Sequence, residues 1–203
     1  MFTAEIHPIF PTPVLTSSLD RDFSEEELNF LLNLDRRDNN FNESSETSYV
    51  LDYPVMERLK GELLIHVDNF FKNTINPSEK VKNFITQSWV NYTKKGGSHH
   101  IHAHPNSIIS GVLYIQALAD YDSINFIKDK KEMFEIETKN YNLFNSGSWV
   151  FPAETGKLIL FPSYLRHAVQ TVTGNHLRVS LSFNTFLKGP VGKEISLTRL
   201  TLS

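Results

Sequence analysis

Four of the chain's eight histidines lie within six positions, in the segment HHIHAHPNSIISG that begins at His99. Neutral imidazole is a common ligand of zinc, copper and iron, so this density suggests a metal site. In an extended segment, residues two apart point to the same side, which would place His100, His102 and His104 on one face. Pro105 cannot donate to a strand ladder and marks the end of the segment. The segment therefore predicts either metal ligands at a strand end or an ordinary histidine-rich loop.

A third ligand has to come from another part of the chain, because one strand presents its side chains from one direction only. The run GKLILFPSYLRH begins at Gly156 as an apolar strand and ends in His167, which makes His167 the distant candidate. The chain has no cysteine. A thiolate zinc site and an iron–sulfur cluster are thereby excluded, and only histidine, aspartate and glutamate remain as side-chain ligands.

The run HLRVSLSF places a cation on an otherwise apolar strand. Its alternation puts Arg178 and Ser180 on one face and Val179 and Leu181 on the other. A guanidinium that points into a protein interior is costly unless it meets an anion, and it binds a carboxylate through two parallel hydrogen bonds. Arg178 therefore predicts a carboxylate-binding position or an internal ion pair.

Two helices precede these motifs. Ser24 and Glu27 have capping-box spacing, and the apolar residues after them predict a helix over 25–35. Apolar residues at helical spacing predict a second helix from Pro54 to about Ile75, and the polar stretch 35–48 between the two is predicted to be a loop.

After Asn83 the chain changes to short β-branched and aromatic runs that Gly, Pro, Asn and Asp separate. The predicted strands are FITQSWVNYT, SIISGVLYIQA, SINFI, KLILFPS and HLRVSLSFNTF. This order predicts a mainly β, α+β fold, a jelly roll or double-stranded β-helix with the helices packed on one sheet. One domain over 1–203 is expected, with a helical support at about 20–76 and a β core at about 84–188.

Composition limits the function classes. The 203 residues carry a net charge of −3, so general nucleic-acid binding is not expected. The N-terminus has no signal-peptide pattern and no apolar run approaches membrane length, which predicts a cytoplasmic protein without membrane contact. A homodimer is a further expectation. The Gly174–Asn175 turn predicts that His176 is exposed at a hairpin tip.

Two sequence blocks together resemble the Fe(II)/2-oxoglutarate-dependent oxygenases, and more closely a family of such oxygenases from bacteria and phages. These blocks are HPNSIISGVLY (104–114) and LILFPSYLRH (158–167) followed by RVSLSFN (178–184). The resemblance covers about the last 120 residues. It implies the jelly-roll fold, Fe(II) and 2-oxoglutarate as cofactors, and dioxygen as co-substrate.

The resemblance also implies a metal-ligand set. His102 and His104 take the places of the HxD or HxE pair of the superfamily, and His167 takes the place of the distal histidine. His104 departs from the pattern because it puts a neutral ligand where relatives have a carboxylate. An alternative register uses His100 and His102 as ligands and leaves His104 beside the site.

By the same resemblance, four residues contact 2-oxoglutarate. Arg178 pairs with the carboxylate remote from the iron, Ser180 completes the RxS motif, and Tyr114 reaches the same molecule. Tyr92 takes the place of an active-site tyrosine in prolyl-hydroxylase-like members.

The implied reaction is hydroxylation of an unidentified substrate with release of succinate and carbon dioxide. The substrate is a small molecule, a protein side chain or a nucleotide. One alternative is a cupin-like metal protein or enzyme that does not use 2-oxoglutarate. The other is a non-catalytic jelly-roll module with a structural or binding role.

Overall fold

The computed structural model describes residues 3–78, 80–129, 134 and 136–203. It contains two α-helices, α1 (Glu25–Leu32) and α2 (Glu57–Thr74), within these described residues. The strands of the described residues are β1 (Leu15–Ser18), β2 (Arg36–Asn39), β3 (Asn42–Ser45), β4 (Lys82–Thr93), β5 (His99–His102), β6 (Ile109–Gln116), β7 (Ser123–Ile127), β8 (Ser148–Pro152), β9 (Lys157–Pro162), β10 (His167–Val169), β11 (Arg178–Val191) and β12 (Leu200–Leu202).

These strands form two antiparallel sheets that face each other. The major sheet has the order β1-β9-β6-β11-β4-β3-β2, with β12 paired to the far end of β11, and the minor sheet has the order β5-β10-β7-β8. Sequence neighbours such as β5 and β6 lie in different sheets, as in a jelly roll. The predicted mainly β fold is confirmed.

The two helices pack on the outer face of the major sheet. The helix α1 begins at Ser24, which forms the predicted capping box with Glu27, and it ends at Leu32, three residues before the predicted end. The second predicted helix begins with a 3₁₀ turn, Pro54–Met56, and continues as α2. The apolar stripe of α2 is fully buried against the sheet; it consists of Leu59, Leu63 and Val67, with Phe70 beside them. This arrangement confirms the prediction that helices cover one sheet.

The alternation along β11 separates the two faces of the major sheet. Val179, Leu181 and Phe183 belong to the apolar core under the helices. Arg178 and Ser180 line a cavity between the two sheets. The sequence pattern therefore predicted correctly which residues of this strand point away from the helices.

The polar segment 35–48 is not a loop, contrary to the sequence prediction. It forms the β2–β3 hairpin, whose tip Asn40 has a positive φ of 60°. The hairpin extends the major sheet because Glu43 and Ser44 pair with Tyr92 and Asn91 on β4. A polar edge hairpin has no apolar alternation of its own, and long-range pairing rather than local pattern fixes it as strand.

Among the described residues, no helix is both long enough and apolar enough to cross a membrane.

Gly111 on β6 is required by close packing. A Cβ at this position would overlap the ring of Phe183 and approach Cδ2 of Leu160 to 2.8 Å. We expect Gly111→Ala to lower the free energy of unfolding by about 1–3 kcal/mol, measured by urea denaturation, because the buried ring has to move. In the control Gly61→Ala, the new methyl group meets nothing within 4 Å in α2, and stability should rise by up to ~1 kcal/mol. Equal stability of the two variants would contradict this packing argument.

Candidate active site

Three histidines converge on the cavity between the two sheets. His102 ends β5 and His167 begins β10, and the two residues are directly opposite each other in the minor sheet. His104 follows in the loop after β5. One nitrogen from each ring lies within 4.8 Å of the others, and the Nε2 atoms of His104 and His167 are 3.3 Å apart. Metal–imidazole bonds of about 2.1 Å separate neighbouring ligand nitrogens by about 3 Å, so the 3.3 Å spacing of His104 and His167 fits a shared metal ion, and His102 lies near enough to be a third candidate ligand.

Backbone carbonyls set the tautomers of two of these rings. Nδ1 of His102 lies 2.9 Å from the carbonyl oxygen of His100, and Nδ1 of His167 lies 3.0 Å from that of Leu165. Because a carbonyl oxygen only accepts, Nδ1 carries the proton in both rings and Nε2 keeps its lone pair. This is the arrangement by which outer hydrogen bonds orient metal-binding histidines.

The histidine cluster is held neutral. Burial, with a smaller contribution from the neighbouring imidazoles, lowers the pKa of His104 to about 4 and that of His99 to about 4. The pKa of His167 falls to about 3, again chiefly through burial. Neutral imidazole is the form that binds a metal, so these side chains are ready for ligation at neutral pH. Among the described residues no carboxylate joins the cluster.

The lowered pKa values predict how the stability of the metal-free protein depends on pH. Below pH 6.5 the unfolded chain takes up protons that folded His99, His104 and His167 do not bind, so stability falls as the pH falls toward 4. We expect a loss on the order of a few kcal/mol between pH 7.5 and 5.5, above the range in which carboxylates titrate. Urea midpoints of the chelator-treated protein measure this loss. His167→Gln should show a smaller one, and an identical pH dependence of the two proteins would contradict the assignment.

The alternation expected for the histidine segment holds only in part. His100 is exposed and does not line the cavity, whereas His99 lines it, with its ring centroid 4.4 Å from that of His102. The pairing of β5 with β10 shifts register between His167 and Val169, and this irregularity breaks the two-residue period. The structure thus brings together His102, His104 and His167, with His99 as an additional neighbour.

Arg178 lines the same cavity. The residue is only 2% exposed, and Nη2 makes a long contact of 3.4 Å to the hydroxyl of Thr93. Nε and Nη1 are buried and have no hydrogen-bond partner among the described residues. Burial lowers the pKa of the guanidinium, an effect that a bound anion would reverse. A buried guanidinium with free N–H donors can bind a carboxylate through charge-assisted hydrogen bonds.

Tyr114 and Ser180 line the cavity with Arg178. Ser180 lies two residues after Arg178 on β11 and directly opposite Tyr114 on β6. Burial raises the pKa of Tyr114 to about 12, so its phenol keeps its proton and can donate a hydrogen bond. Three of the four predicted cofactor-binding residues are therefore adjacent to one another.

The fourth, Tyr92, lies elsewhere, which corrects the sequence prediction. Its hydroxyl donates to the carbonyl of Leu31 at the end of α1, and Arg36 lies over its ring at 3.8 Å. Side chains alternate along β4, so Tyr92 points to the helices, whereas Trp89 and Asn91 point to the cavity.

Two asparagines that the sequence analysis did not identify as site residues line the cavity. Asn42 reaches it from the β2–β3 hairpin, and Asn91 donates from Nδ2 to the hydroxyl of Ser182 at 3.1 Å. The side-chain oxygens of Asn42 and Asn91 are buried and have no hydrogen-bond partner in the part of the chain that the structure describes. Trp89 forms part of the same wall, with its ring 5.8 Å from that of His104.

His176 is not an exposed tip residue, contrary to the sequence prediction. Its Nε2 lies 2.7 Å from Oδ2 of Asp122, a residue that is only 2% exposed. The same carboxylate oxygen accepts from the backbone N–H of Leu118 at 2.8 Å. A partner 54 positions away thus overrides the local turn signal.

Comparison with known proteins agrees with this geometry. Residues 87–184 match the model of a family described as "Putative 2OG-Fe(II) oxygenase". This range contains every proposed metal ligand as well as Arg178, Tyr114 and Ser180. No curated protein matches the sequence significantly.

Several solved structures share the fold. An oxidoreductase of the 2OG-Fe(II) oxygenase family from Burkholderia pseudomallei is 16% identical over 85% of this chain and 83% of that chain, with a TM-score of 0.59. HygX from Streptomyces hygroscopicus, solved with nickel, 2-oxoglutarate and hygromycin B bound, is 12% identical over 86% and 82%, with a TM-score of 0.58. The epimerase SnoN from nogalamycin biosynthesis is 10% identical over 86% and 78%, with a TM-score of 0.60. At these identities the likeness concerns the fold. The sequence match relates the β core of this chain, residues 87–184, to the 2OG-Fe(II) oxygenase family.

Proposed function

We propose that this protein is an Fe(II)- and 2-oxoglutarate-dependent oxygenase that oxidises a small molecule. One observation carries the proposal: a cluster of neutral histidines and a buried arginine with two unpaired donors face the same cavity between the sheets. A metal cluster alone is compatible with a cupin-like enzyme. The buried guanidinium, whose Nε and Nη1 have no partner among the described residues, favours an anionic ligand in the same cavity, and 2-oxoglutarate supplies such a carboxylate.

His102, His104 and His167 hold the iron in this proposal. They do so through neutral nitrogens, because the carbonyls of His100 and Leu165 fix two of the rings with Nε2 free. Three neutral ligands would leave the full positive charge of the metal, which an anionic co-ligand would partly offset.

Arg178, Ser180 and Tyr114 hold the carboxylate of 2-oxoglutarate that is remote from the metal. Arg178 contributes its charge and two N–H donors, and the protonated Tyr114 contributes a hydroxyl donor. Around them the wall is apolar; Val112, Ile124 and Phe161 line the cavity between the sheets. Low polarity strengthens the charge-assisted hydrogen bonds and keeps water from the reacting centre.

When bound, iron and 2-oxoglutarate supply the oxidising chemistry, in which dioxygen is consumed and 2-oxoglutarate is converted to succinate and carbon dioxide. The chain's own contribution is to orient the cosubstrate between the histidines and Arg178. The substrate is proposed to lie against the wall of Trp89, Asn42 and Asn91, whose unpaired amide oxygens accept hydrogen bonds from hydroxyl or amino groups.

Anaerobic titration tests the proposal. The purified protein, loaded with Fe(II), should develop a visible charge-transfer absorption on addition of 2-oxoglutarate, and exposure to dioxygen should yield succinate. Metal binding without absorption or succinate would instead favour the cupin-like alternative. Absence of metal binding would favour a non-catalytic jelly-roll module.

A further inference from the structure

Two buried serines and one half-buried serine form a cluster next to the loops of His104 and His167, and neither metal nor cosubstrate binding explains it. The hydroxyl of Ser163 lies 2.7 Å from that of Ser107 and 2.8 Å from that of Ser110. Ser163 is fully buried and Ser110 nearly so. Ser110 in turn donates to Oδ1 of Asn184 at 2.7 Å. These residues belong to the HPNSIISG, FPS and SFN segments, which are far apart in sequence.

The hydroxyl protons of this cluster can be assigned a direction. Asn184 Oδ1 only accepts, so the proton of Ser110 is committed to it, and Ser163 must then donate to Ser110. The 2.7 Å contact between Ser163 and Ser107 then needs the proton of Ser107, although the carbonyl oxygens of Thr185 and Ile109 lie 3.1 Å and 3.3 Å from the same hydroxyl. This gives a chain of three hydrogen bonds, each polarising the next, in which all three hydroxyls are satisfied.

The cluster joins the two loops that carry metal-binding histidines. The backbone N–H of His104 donates to the carbonyl of Ser163 at 2.9 Å, and the N–H of Ser163 donates to the carbonyl of Ile108 at 3.1 Å. Between them the 104–108 loop turns at Asn106, whose φ is 57°. Ser163 therefore contacts both ends of the loop that presents His104.

Ser163 also begins the turn that presents His167. The N–H of Leu165 donates to the carbonyl of Pro162 at 2.9 Å, which closes the turn. The carbonyl of Leu165 then orients the ring of His167 through Nδ1. One residue is thus shared by the loops of two proposed ligands, whose Nε2 atoms are 3.3 Å apart.

We propose that Ser163, with Ser107 and Ser110, is a positioning cluster that fixes the spacing of His104 and His167 for metal binding. The inference rests on the proposed function, since it takes these two histidines as ligands. Its physical basis is that the hydroxyls of Ser107 and Ser163 link the loop of His104 to the turn before His167. Removing the central hydroxyl breaks this link, so the two loops are free to move apart. Loss of hydrogen bonds outside the ligands themselves weakens metal affinity by about 10–100-fold.

The experiment compares two buried serine deletions in the full chain. Ser163→Ala removes the centre of the cluster. Ser88→Ala is the matched control, because Ser88 is 1% exposed and its hydroxyl accepts from the N–H of Leu51 at 2.8 Å, on the helix side of the major sheet. The dissociation constant for Co(II) is measured by competition with a chelator, together with the Co(II) absorption spectrum. Ser163→Ala should bind Co(II) about 10–100-fold more weakly and with an altered spectrum, whereas Ser88→Ala should match the wild type in both.

A second pair of variants covers the case in which Ser163→Ala does not fold. Ser107 is only half-buried and tolerates change more easily. Ser107→Ala should weaken Co(II) binding, and Ser107→Thr, which keeps the hydroxyl, should restore it. Wild-type affinity and spectrum in Ser163→Ala or Ser107→Ala would overturn the positioning role while leaving the proposed function intact. Failure of the wild-type protein to bind Co(II) would overturn the proposed function and this inference with it.

Discussion

Arg178→Leu is expected to abolish 2-oxoglutarate binding at ordinary concentrations while leaving metal binding unchanged. The guanidinium offers two unpaired, buried N–H donors to the carboxylate. Hydrogen bonds between charged groups contribute about 1.5–3 kcal/mol each, so losing two raises the dissociation constant by roughly 100-fold or more. Calorimetric titration of 2-oxoglutarate into the anaerobic, metal-loaded protein measures this change. The folded variant should be at least as stable as the wild type without ligand, since an unpaired buried charge is removed.

Two further arginine variants complete the test. One separates the geometry of the Arg178 guanidinium from its charge, and the other controls for the loss of an arginine elsewhere. Arg178→Lys keeps a cation but loses the planar fork, and it should fall between the wild type and Arg178→Leu. Arg58→Leu is the control, because Arg58 lies on the exposed side of α2 and pairs with Glu62 at 3.1 Å. Unchanged 2-oxoglutarate affinity in Arg178→Leu would remove the principal support for this cosubstrate.

The sequence predicted those parts of the fold and site that follow from local periodicity. The capping box of Ser24, the apolar stripe of α2 and the alternation on β11 each follow from the spacing of residues within one element. The faces of Arg178 and Ser180 were predictable for the same reason. The sequence blocks that resemble a known family added the pairing of distant elements, such as His102 with His167, which periodicity cannot supply.

The predictions that were wrong involve contacts between distant parts of the chain. The β2–β3 hairpin is strand because it pairs with β4, and through it Asn42 enters the cavity. The contact with Asp122 keeps His176 from being fully exposed, and no local sequence pattern predicts that contact. Tyr92 was assigned to the site by its distance from His102. With a two-residue period on β4, the cavity position belongs to its neighbour Asn91.

The metal-ligand register is decided by a second pair of variants, His167→Ala and His100→Ala. The spacing of His102, His104 and His167 predicts that removing one of the three reduces metal affinity by at least about 100-fold. The two imidazoles that remain leave the ion with too few protein ligands. His100→Ala should bind metal as the wild type does. The His100 side chain is exposed, and its contact to Nδ1 of His102 comes from the backbone carbonyl, which the substitution keeps.

Metal binding by both variants is measured as the change in melting temperature on addition of Co(II) or Ni(II). A metal present at 100 times its dissociation constant stabilises the wild type by about 2.7 kcal/mol, and the melting temperature rises accordingly. The same metal concentration should stabilise His100→Ala equally and leave His167→Ala almost unaffected. Loss of the shift in His100→Ala would instead assign the metal to His100 and His102. His104 would then be free to contact the substrate. The neutral imidazole that stands where relatives have a carboxylate would in that case not be a metal ligand, and it would not determine the charge at the iron.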